Sequence, residues 1–302
     1  MLNQVERWAQ LGLSLRQMQA EIGDEIGTQV GLRKLNAVVQ AVDEPTRIEL
    51  TSVPPVILLD AIWVTVLAPT GERFVDKKGR LRWCKQRQKV AILVALGLWP
   101  HSQRWHILDW ELADGEDHAS WERLLVRLEN RGVYRERGVE LFIHDGGGGL
   151  VAALNLIYPH VPHQRCVFHK LRNLWQAIRT PDGLKQREAH PLKRDIMRQA
   201  VAIYRASSPQ QALTLRHAFC QHWQNTQPEL VDTLLRDWDD TVTFYQFMTR
   251  FPKWKTTALR TTSLLERLNR TLRRLFRPAG AYHSLSGLLA TVARVLNPLR
   301  AI

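Results

Sequence analysis

Two aspartates occupy positions where a carboxylate could do chemistry. Asp60 interrupts a nearly continuous apolar run, residues 56–67, and a charge there is unfavourable unless it is paired, hydrogen-bonded or bound to a cation. Asp145 ends another short apolar run and precedes four glycines, residues 146–149. Functional groups of open α/β sheets gather at the carboxyl ends of strands, so Asp145 is a candidate site residue. The alternatives are a solvent-facing position for Asp60 and an ordinary turn or cap role for Asp145.

A third carboxylate lies on a helix predicted near the end of the sequence, residues 261–276. The apolar stripe of this helix consists of Leu264, Leu268, Leu272 and Leu275. At about 100° per residue, the opposite face carries Glu266, Arg270, Arg273 and Arg277. Glu266 could belong to a solvated ladder in which it pairs with Arg270. It could equally be a metal ligand on a surface that holds phosphates.

The elements predicted around the aspartates indicate how these residues could meet. Three strands joined by short connections predict an antiparallel meander with a hairpin tip at residues 76–80. The strands are residues 56–67, 89–98 and 105–110. A helix at 117–131 and a strand ending at Asp145 complete the order that opens a ribonuclease-H-like fold, in which the first and fourth strands are neighbours. Asp60 and Asp145 would then lie close together, and two such carboxylates are stable together chiefly around a divalent cation.

The predicted fold class is α/β, a ribonuclease-H-like mixed sheet with an all-helical insertion and an N-terminal helical segment. Two short helices about a glycine turn make that first segment similar to a helix-turn-helix, in which Arg33 and Lys34 could meet phosphates. The predicted domains are a DNA-binding segment at 1–50, the first part of the catalytic core at 55–180, the insertion at 181–255, and the part of the core that bears Glu266 at 256–302.

The charge of the chain indicates a polyanionic partner. Among 302 residues there are 42 Lys and Arg against 29 Asp and Glu, a formal net charge of +13 with a pI of about 10.1. Nucleic acid is the expected partner before a membrane surface. The longest apolar runs, such as residues 90–99, are far below the roughly 18 residues that a bilayer span needs. With no signal peptide and three cysteines outside any CxxC spacing, we expect a reduced, cytoplasmic, nucleoid-associated protein.

The ordered segments resemble the Mutator-type transposases of bacterial insertion sequences. The similarity runs from about residue 56 to the end of the chain. The segments that carry it are LLDAIWV (58–64), FIHDGGGGLVAAL (142–154), QRCVFHKLRN (164–173) and TTSLLERLNRTLRR (261–274). Their combined order is specific to the family, whereas each piece alone is weak.

This resemblance implies a DDE transposase in which Asp60, Asp145 and Glu266 are the catalytic residues and the metal ligands. Two Mg²⁺ ions are expected, and Mn²⁺ could replace them. The expected partners are terminal inverted repeats and target DNA, held by at least a homodimer. The expected DNA-contacting residues, besides Arg33 and Lys34, are Lys170, Arg172, Arg270, Arg273, Arg274 and Arg277. The alternatives are a catalytically inactive DNA-binding remnant of a transposase, and a ribonuclease-H-like nuclease or resolvase.

Cys166 and His169 form a C-x2-H pair that also occurs in the family segment. The resemblance favours a structural or DNA-proximal role for both residues. A zinc site would need two further ligands, and Cys220 with His222 is the only other tempting pair. Because 51 residues separate the two pairs, zinc is not expected.

Overall fold

A five-stranded mixed sheet forms the centre of the structure, a computed structural model. It describes residues 15–26, 50–102, 104–180, 186–252, 256–276 and 281–299, together with residues 5, 8, 30, 31, 35 and 254. The strands are β1 Val56–Val75, β2 Leu81–Trp99, β3 Arg104–Ala113, β4 Leu141–His144 and β5 His163–Arg165. Their order in the sheet is β3-β2-β1-β4-β5, with β1 to β3 antiparallel and β4 and β5 parallel to β1. The first and fourth strands are therefore neighbours, as the sequence predicted.

Helices fill the rest of the described chain. Those up to the end of the sheet are α1 Leu15–Ile26, α2 His118–Asn130, α3 Gly148–Ile157 and α4 Val167–Ala177. The following helices are α5 Gln186–Tyr204, α6 Pro209–Trp223, α7 Pro228–Leu235, α8 Trp238–Val242, α9 Phe244–Arg250, α10 Thr256–Arg260, α11 Ser263–Phe276 and α12 Leu285–Leu296. None of these combines the length and the apolar character needed to cross a lipid bilayer.

The sheet buries both of its faces because β1 is apolar on both. Alternate side chains of a strand point to opposite faces. Val56, Leu58 and Ile62 belong to the core on one side, together with α4 to α7 and the C-terminal helices α11 and α12. Ile57 and Leu59 belong to the core on the other side, which α2 and α3 cover. The structure is thus a sheet between two helical layers.

The helix and hairpin signals in the sequence are confirmed, while two strands are longer than predicted. Helix α2 begins after the cap residue Asp117, whose carboxylate accepts a hydrogen bond from Ser120 N–H at 2.8 Å. The hairpin tip is confirmed by a hydrogen bond from Asp76 N–H to the Arg80 carbonyl. Strand β1, however, continues past residue 67 to Val75, and β2 begins at Leu81, before the predicted start at residue 89, so both strands reach the turn. This extension carries mostly polar side chains and so lacks the apolar alternation by which strands are found in a sequence.

The N-terminal segment is described in part. In α1, Met18 and Ile22 are buried in a small core with Leu35. Arg33 and Lys34, the predicted phosphate contacts, lie outside the described residues, and so does most of the second predicted helix. The helix-turn-helix reading and the division of the chain into four units remain predictions.

Candidate functional site

Strand pairing places Asp60 and Asp145 side by side. Leu58 on β1 is the register partner of Ile143 on β4, and each aspartate lies two residues further along its strand direction. Parallel neighbouring strands are about 4.8 Å apart, and both side chains fall on the face that packs against α11. Asp60 is buried, and its Oδ1 accepts a hydrogen bond from Ala61 N–H at 3.0 Å. The solvent-facing alternative for Asp60 is therefore wrong.

The glycines after Asp145 allow close packing within the chain itself. Asp145 Oδ1 accepts a hydrogen bond from Gly147 N–H at 3.0 Å, which fixes the carboxylate in the turn. Gly146 has φ +93°, and a Cβ there would overlap the guanidinium of Arg165. A Cβ at Gly149 would overlap the backbone of residues 116–118. The glycines thus let Arg165 and the loop before α2 approach the strand end that carries Asp145.

Helix α11 brings Glu266 to the same face of the sheet. The helix packs against β1 through Leu265, Leu268 and Leu272, all of which are buried. The predicted stripe is therefore shifted, because Leu264 is only half-buried while Leu265 is fully enclosed. Glu266 is half-buried, and its Oε1 is shielded from solvent without a hydrogen-bond partner in the described part of the chain. The glutamate thus faces the protein interior, which the solvated ladder with Arg270 does not explain.

Cys166 and His169 lie beside Glu266. Cys166 immediately precedes α4, and its Sγ accepts hydrogen bonds from Thr262 N–H at 3.5 Å and Thr262 Oγ1 at 3.4 Å. A ligand atom from each of Cys166, His169 and Glu266 lies within 4.8 Å of the other two. Among the described residues, neither Cys220 nor His222 joins this group. The C-x2-H pair therefore links the start of α4 to the start of α11, next to the carboxylates.

The pKa values show how strongly these groups interact. Burial is the main cause that raises the pKa of Asp60 to about 7, and the neighbouring Asp145 carboxylate raises it further. His169 and the Ala61 N–H act in the opposite direction. The hydrogen bond with Cys166 is the main cause that raises the pKa of His169 to about 9, and Asp60 and Asp145 add to it. The raised pKa favours a protonated imidazole at His169, next to buried Asp60 and half-buried Asp145.

Comparison with known proteins now assigns the chain to a family. The family model for "Transposase, Mutator family" matches residues 3–300. This chain belongs to the Mutator family of transposases. It is 31% identical over 186 residues to the transposase of insertion sequence element IS905 from Lactococcus lactis, which is 62% of this chain and 43% of that protein. It is 25% identical over 291 residues to the transposase of ISRM3 from Rhizobium meliloti, which is 95% of this chain and 64% of that protein.

The chain spans about half the length of several of the relatives that it matches. The matched region covers 43% of the IS905 protein and 50% of the transposase of IS406 from Burkholderia multivorans. The structure also resembles a chain of the Drosophila P element transposase strand transfer complex. The TM-score is 0.54 at 8% sequence identity, covering 98% of this chain and 91% of the other. At that identity the likeness concerns the fold alone.

Asn269 is a site residue of this Mutator-family chain that sequence reasoning missed. Its Nδ2 donates a hydrogen bond of 2.8 Å to Asp60 Oδ2, and the side chain is buried. Asn269 lies one turn beyond Glu266 on α11, so that one helix face supplies both an amide and a carboxylate to the site. The available signal was a polar residue next to Leu268 in the predicted apolar stripe. Unless one knows that β1 packs against this helix, a polar residue at this position is also what a solvent-facing amide would give.

A second missed residue is Glu116, a carboxylate in the loop before α2. Burial raises its pKa, and Asp145 raises it further, so the two side chains are close enough to interact. Trp63 Nε1 donates a hydrogen bond to Glu116 Oε1 and opposes this shift. The pair lies at the rim of the site, because Trp63 is 45% exposed.

The basic residues expected to contact DNA are in different environments. Lys170 is buried on α4 and donates a hydrogen bond to the Arg236 carbonyl, and burial lowers its pKa to about 8. It lines a cleft of about 400 Å³ that also contains Asp145, Arg165 and Asp237. The exposed side chains are Arg172 on α4 and Arg270, Arg273 and Arg274 on α11. Arg277 lies outside the described residues. For all of these residues, DNA contact remains a prediction.

Proposed function

We propose that this chain is the catalytic part of a DNA transposase that mobilises an insertion sequence, with Asp60, Asp145 and Glu266 as a DDE triad. Membership of the Mutator family supports the reaction class. The strand order β3-β2-β1-β4-β5 and the likeness to the P element transposase fold support a ribonuclease-H-like core. The reaction would be DNA strand cleavage followed by strand transfer to a target duplex.

The observation that carries the proposal is that Asp60, Asp145 and Glu266, from distant parts of the sequence, come close enough to interact, with Asp60 buried and the other two half-buried. In the described part of the chain, the ligand atoms that all lie within 4.8 Å of one another are those of Glu266, Cys166 and His169, and the two aspartates are not in that group. Asp60 interacts electrostatically with both Asp145 and Glu266. Like charges in a desolvated place oppose one another, and a divalent cation relieves that repulsion. Burial is the main cause of the raised pKa of Asp60, and the carboxylates of Asp145 and Glu266 add to it. The shielded Oε1 of Glu266 has no hydrogen-bond partner in the described part of the chain and is free to bind a cation. The residues therefore fit a site for Mg²⁺ or Mn²⁺.

Oxygen ligands from carboxylates favour Mg²⁺, whereas a site that included Cys166 and His169 would favour a softer metal. Without a cation, the pKa of His169 is raised to about 9, which favours the protonated imidazole, a form that has no free lone pair for a metal. Cys166 Sγ is already occupied by two hydrogen bonds from Thr262. We therefore assign metal binding to Asp60, Asp145 and Glu266, and a positioning role to Cys166 and His169.

The chain's own residues would bind, orient and neutralise the reacting groups. When bound, two divalent ions supply an activated water or 3′-hydroxyl and stabilise the leaving oxygen. Asp60 and Asp145 define the position of the scissile phosphate from the sheet, and Glu266 closes the site from α11. Asn269 and Ala61 N–H hold the two oxygens of Asp60 in a fixed orientation. The His169 imidazolium stabilises negative charge beside the phosphate.

DNA is the proposed partner because the net charge of +13 gives a surface that attracts phosphates. Exposed arginines of α11 lie on the helix that carries Glu266, and they would neutralise backbone charge without reading sequence. Residues 1–50 would recognise terminal inverted repeats. Since two element ends must be joined, we also propose that the protein acts as a homodimer or a larger assembly on DNA.

The proposal is tested by strand cleavage of a duplex that carries the inverted repeats of the element encoding this chain. Asp145→Asn and Glu266→Gln should each abolish cleavage and strand transfer in Mg²⁺ while leaving duplex binding intact. Asp239→Asn is the matched control, because this exposed aspartate on α8 is remote in sequence from the triad.

The two possible failures of this test have different meanings. If both triad variants cut as well as the parent chain, the assignment of the site is wrong. If the parent chain binds the duplex but never cuts it, the chain is a DNA-binding protein without catalytic activity. Cleavage without strand transfer would instead indicate a nuclease.

A further inference from the structure

Strands β1 and β2 continue beyond the body of the sheet as a two-stranded antiparallel ribbon, residues 69–89, which we call the ribbon. It ends in the turn around Gly79, which has φ +73°. All its residues are exposed except half-buried Asp76 and Cys84. The nine exposed or half-buried residues of β2, 81–89, span about 30 Å at about 3.4 Å per residue. This length of strand pair has no helix or second sheet packed over it in the described part of the chain.

The ribbon carries a large share of the positive charge of the chain. In these 21 residues, eight are Lys or Arg and two are acidic, a net charge of +6, whereas the whole chain of 302 residues has +13. Arg80 and Arg82 face Asp76, and Lys85 Nζ donates to the His283 carbonyl. Lys77, Lys78, Arg87 and Lys89 form no ion pair among the described residues. Apart from the contact of Lys85 with His283, no packing in the described part of the chain accounts for a charge density of this kind.

The distribution of side chains on the ribbon is directional. On β2, basic residues alternate with amides, so that Lys85, Arg87 and Lys89 share one face while Gln86 and Gln88 share the other. Nearer the tip, Trp83 lies opposite Arg73 on β1, and the Arg73 guanidinium stacks over the indole at 4.0 Å. The neighbouring pair Val75 and Leu81 is 64% and 59% exposed. One face thus combines a row of cations with an apolar tip.

We propose that the ribbon binds double-stranded DNA by entering the major groove, with its cations on the phosphates that flank it. Two strands about 4.8 Å apart fit a groove about 12 Å wide, which admits a two-stranded ribbon. The polar edges of the bases and thymine methyl groups match a surface of Arg, Gln and exposed apolar side chains. A second copy of this chain is a poorer occupant of the same face, because two ribbons of charge +6 repel one another.

The ribbon is continuous with the strand that carries Asp60. Lys89 is the register partner of Thr65, five residues from Asp60 along β1. At about 3.4 Å per residue, the backbone at Lys89, the first cation of the ribbon, therefore lies about 17 Å from the backbone at Asp60, and the Lys89 side chain is on the opposite face of the sheet. A duplex cut at the proposed metal site would present its neighbouring base pairs to the ribbon. The inference rests on the proposed function only in taking DNA as the substrate.

Duplex binding in EDTA, where no cleavage occurs, tests the proposal on the full chain. The ribbon variant removes three cations that have no ion-pair partner in the described residues. Its substitutions are Lys78→Gln, Arg87→Gln and Lys89→Gln. The logarithm of the binding constant should depend less steeply on the logarithm of salt concentration, with a slope smaller in magnitude by about 2 to 3, because each phosphate contact contributes about 0.9.

The control removes three exposed arginines elsewhere on the surface, from the middle of α5 to the residue after its end, of which Arg198 is paired with Asp195. Its substitutions are Arg194→Gln, Arg198→Gln and Arg205→Gln. The control should keep the parent's salt dependence. If the ribbon variant and the control show the same slope, the ribbon does not contact phosphates and the proposal is wrong. If the ribbon variant keeps its slope but loses self-association in gel filtration, the ribbon is instead a surface for a second copy.

Cross-linking decides which groove is entered. In a Cys84→Ser background, Leu81→Cys should form a disulfide with a duplex that carries a thiol tether in the major groove, and Leu213→Cys on α6 should not. Equal reaction with a minor-groove tether would overturn the assignment. The proposed catalytic site and the proposed DNA contact of the ribbon can be refuted separately. The first is tested by DNA cleavage with Asp145→Asn, and the second by the salt dependence of duplex binding by the ribbon variant.

Discussion

Removal of the Asn269 amide should weaken divalent metal binding at the proposed triad. Asn269 Nδ2 is the donor that holds Asp60 Oδ2, at 2.8 Å in a buried environment. A hydrogen bond to a charged group contributes about 1.5 to 3 kcal/mol, and residues that orient metal ligands change metal affinity by about 10- to 100-fold. In Asn269→Ala the Asp60 carboxylate keeps the Ala61 N–H and loses the second anchor. We therefore expect the half-saturating Mg²⁺ concentration for cleavage to rise by about 10- to 100-fold.

The assay is strand cleavage across a series of Mg²⁺ concentrations, together with calorimetric titration of Mn²⁺ into the free protein. Asn130→Ala is the matched control, because it deletes the same amide at an exposed position near the end of α2. The rate at saturating metal should change much less than the metal affinity. Our account of Asn269 is refuted if its alanine variant binds Mn²⁺ as tightly as the control does. A large fall in the saturated rate with unchanged metal affinity would equally contradict it.

Two further predictions concern stability around the same strand ends. Gly149→Ala should lower the free energy of unfolding by about 1 to 3 kcal/mol, because its Cβ would overlap the backbone at Glu116. Gly148→Ala is the control, because the added Cβ meets no other atom there, and urea unfolding should show no decrease in its free energy of unfolding. Burial lowers the pKa of His144 to about 3, below the value of about 6.5 expected when unfolded. Between these two pKa values the unfolded state binds one more proton than the folded state. The free energy of unfolding should therefore fall by about 1.4 kcal/mol for each pH unit as the pH is lowered from 6 to 4. His144→Gln should remove this slope, whereas His217→Gln, at an exposed position, should keep it.

The order of strands could be predicted because each is marked by a local pattern. Residues 56–67 and 90–98 are so apolar that only a strand buried on both faces suits them, and Gly132 ends α2 with a positive φ. The adjacency of Asp60 and Asp145 followed from that order and from a resemblance to a family, not from either residue alone. Local sequence could not give it, since 85 residues separate the two.

The features that were missed depend on tertiary contacts. Asn269 becomes a site residue only because α11 lies across β1, and the helical period leaves its position ambiguous between the edge of the apolar stripe and solvent. The ribbon escaped prediction for a different reason. Its strands are held together by backbone pairing from Arg73 to Val75 with Leu81 to Trp83, while its side chains have no buried face to produce an alternation. Charged and amide residues without an apolar alternation are typical of loops, and here they belong to a strand pair.

The arrangement around Asp60 explains how a carboxylate cluster can exist in a folded protein before any cation binds. Burial next to Asp145 opposes ionisation of Asp60, which is why its pKa reaches about 7. The positive charge of His169 and the Ala61 N–H act against that effect, and the Asn269 amide binds the second oxygen of the carboxylate. They hold the carboxylate in one orientation while keeping it close to the ionised state near neutral pH. The same desolvation that makes the free carboxylate unfavourable strengthens its attraction for a cation, so the fold maintains the site at some cost in stability and recovers that cost when the charge is neutralised.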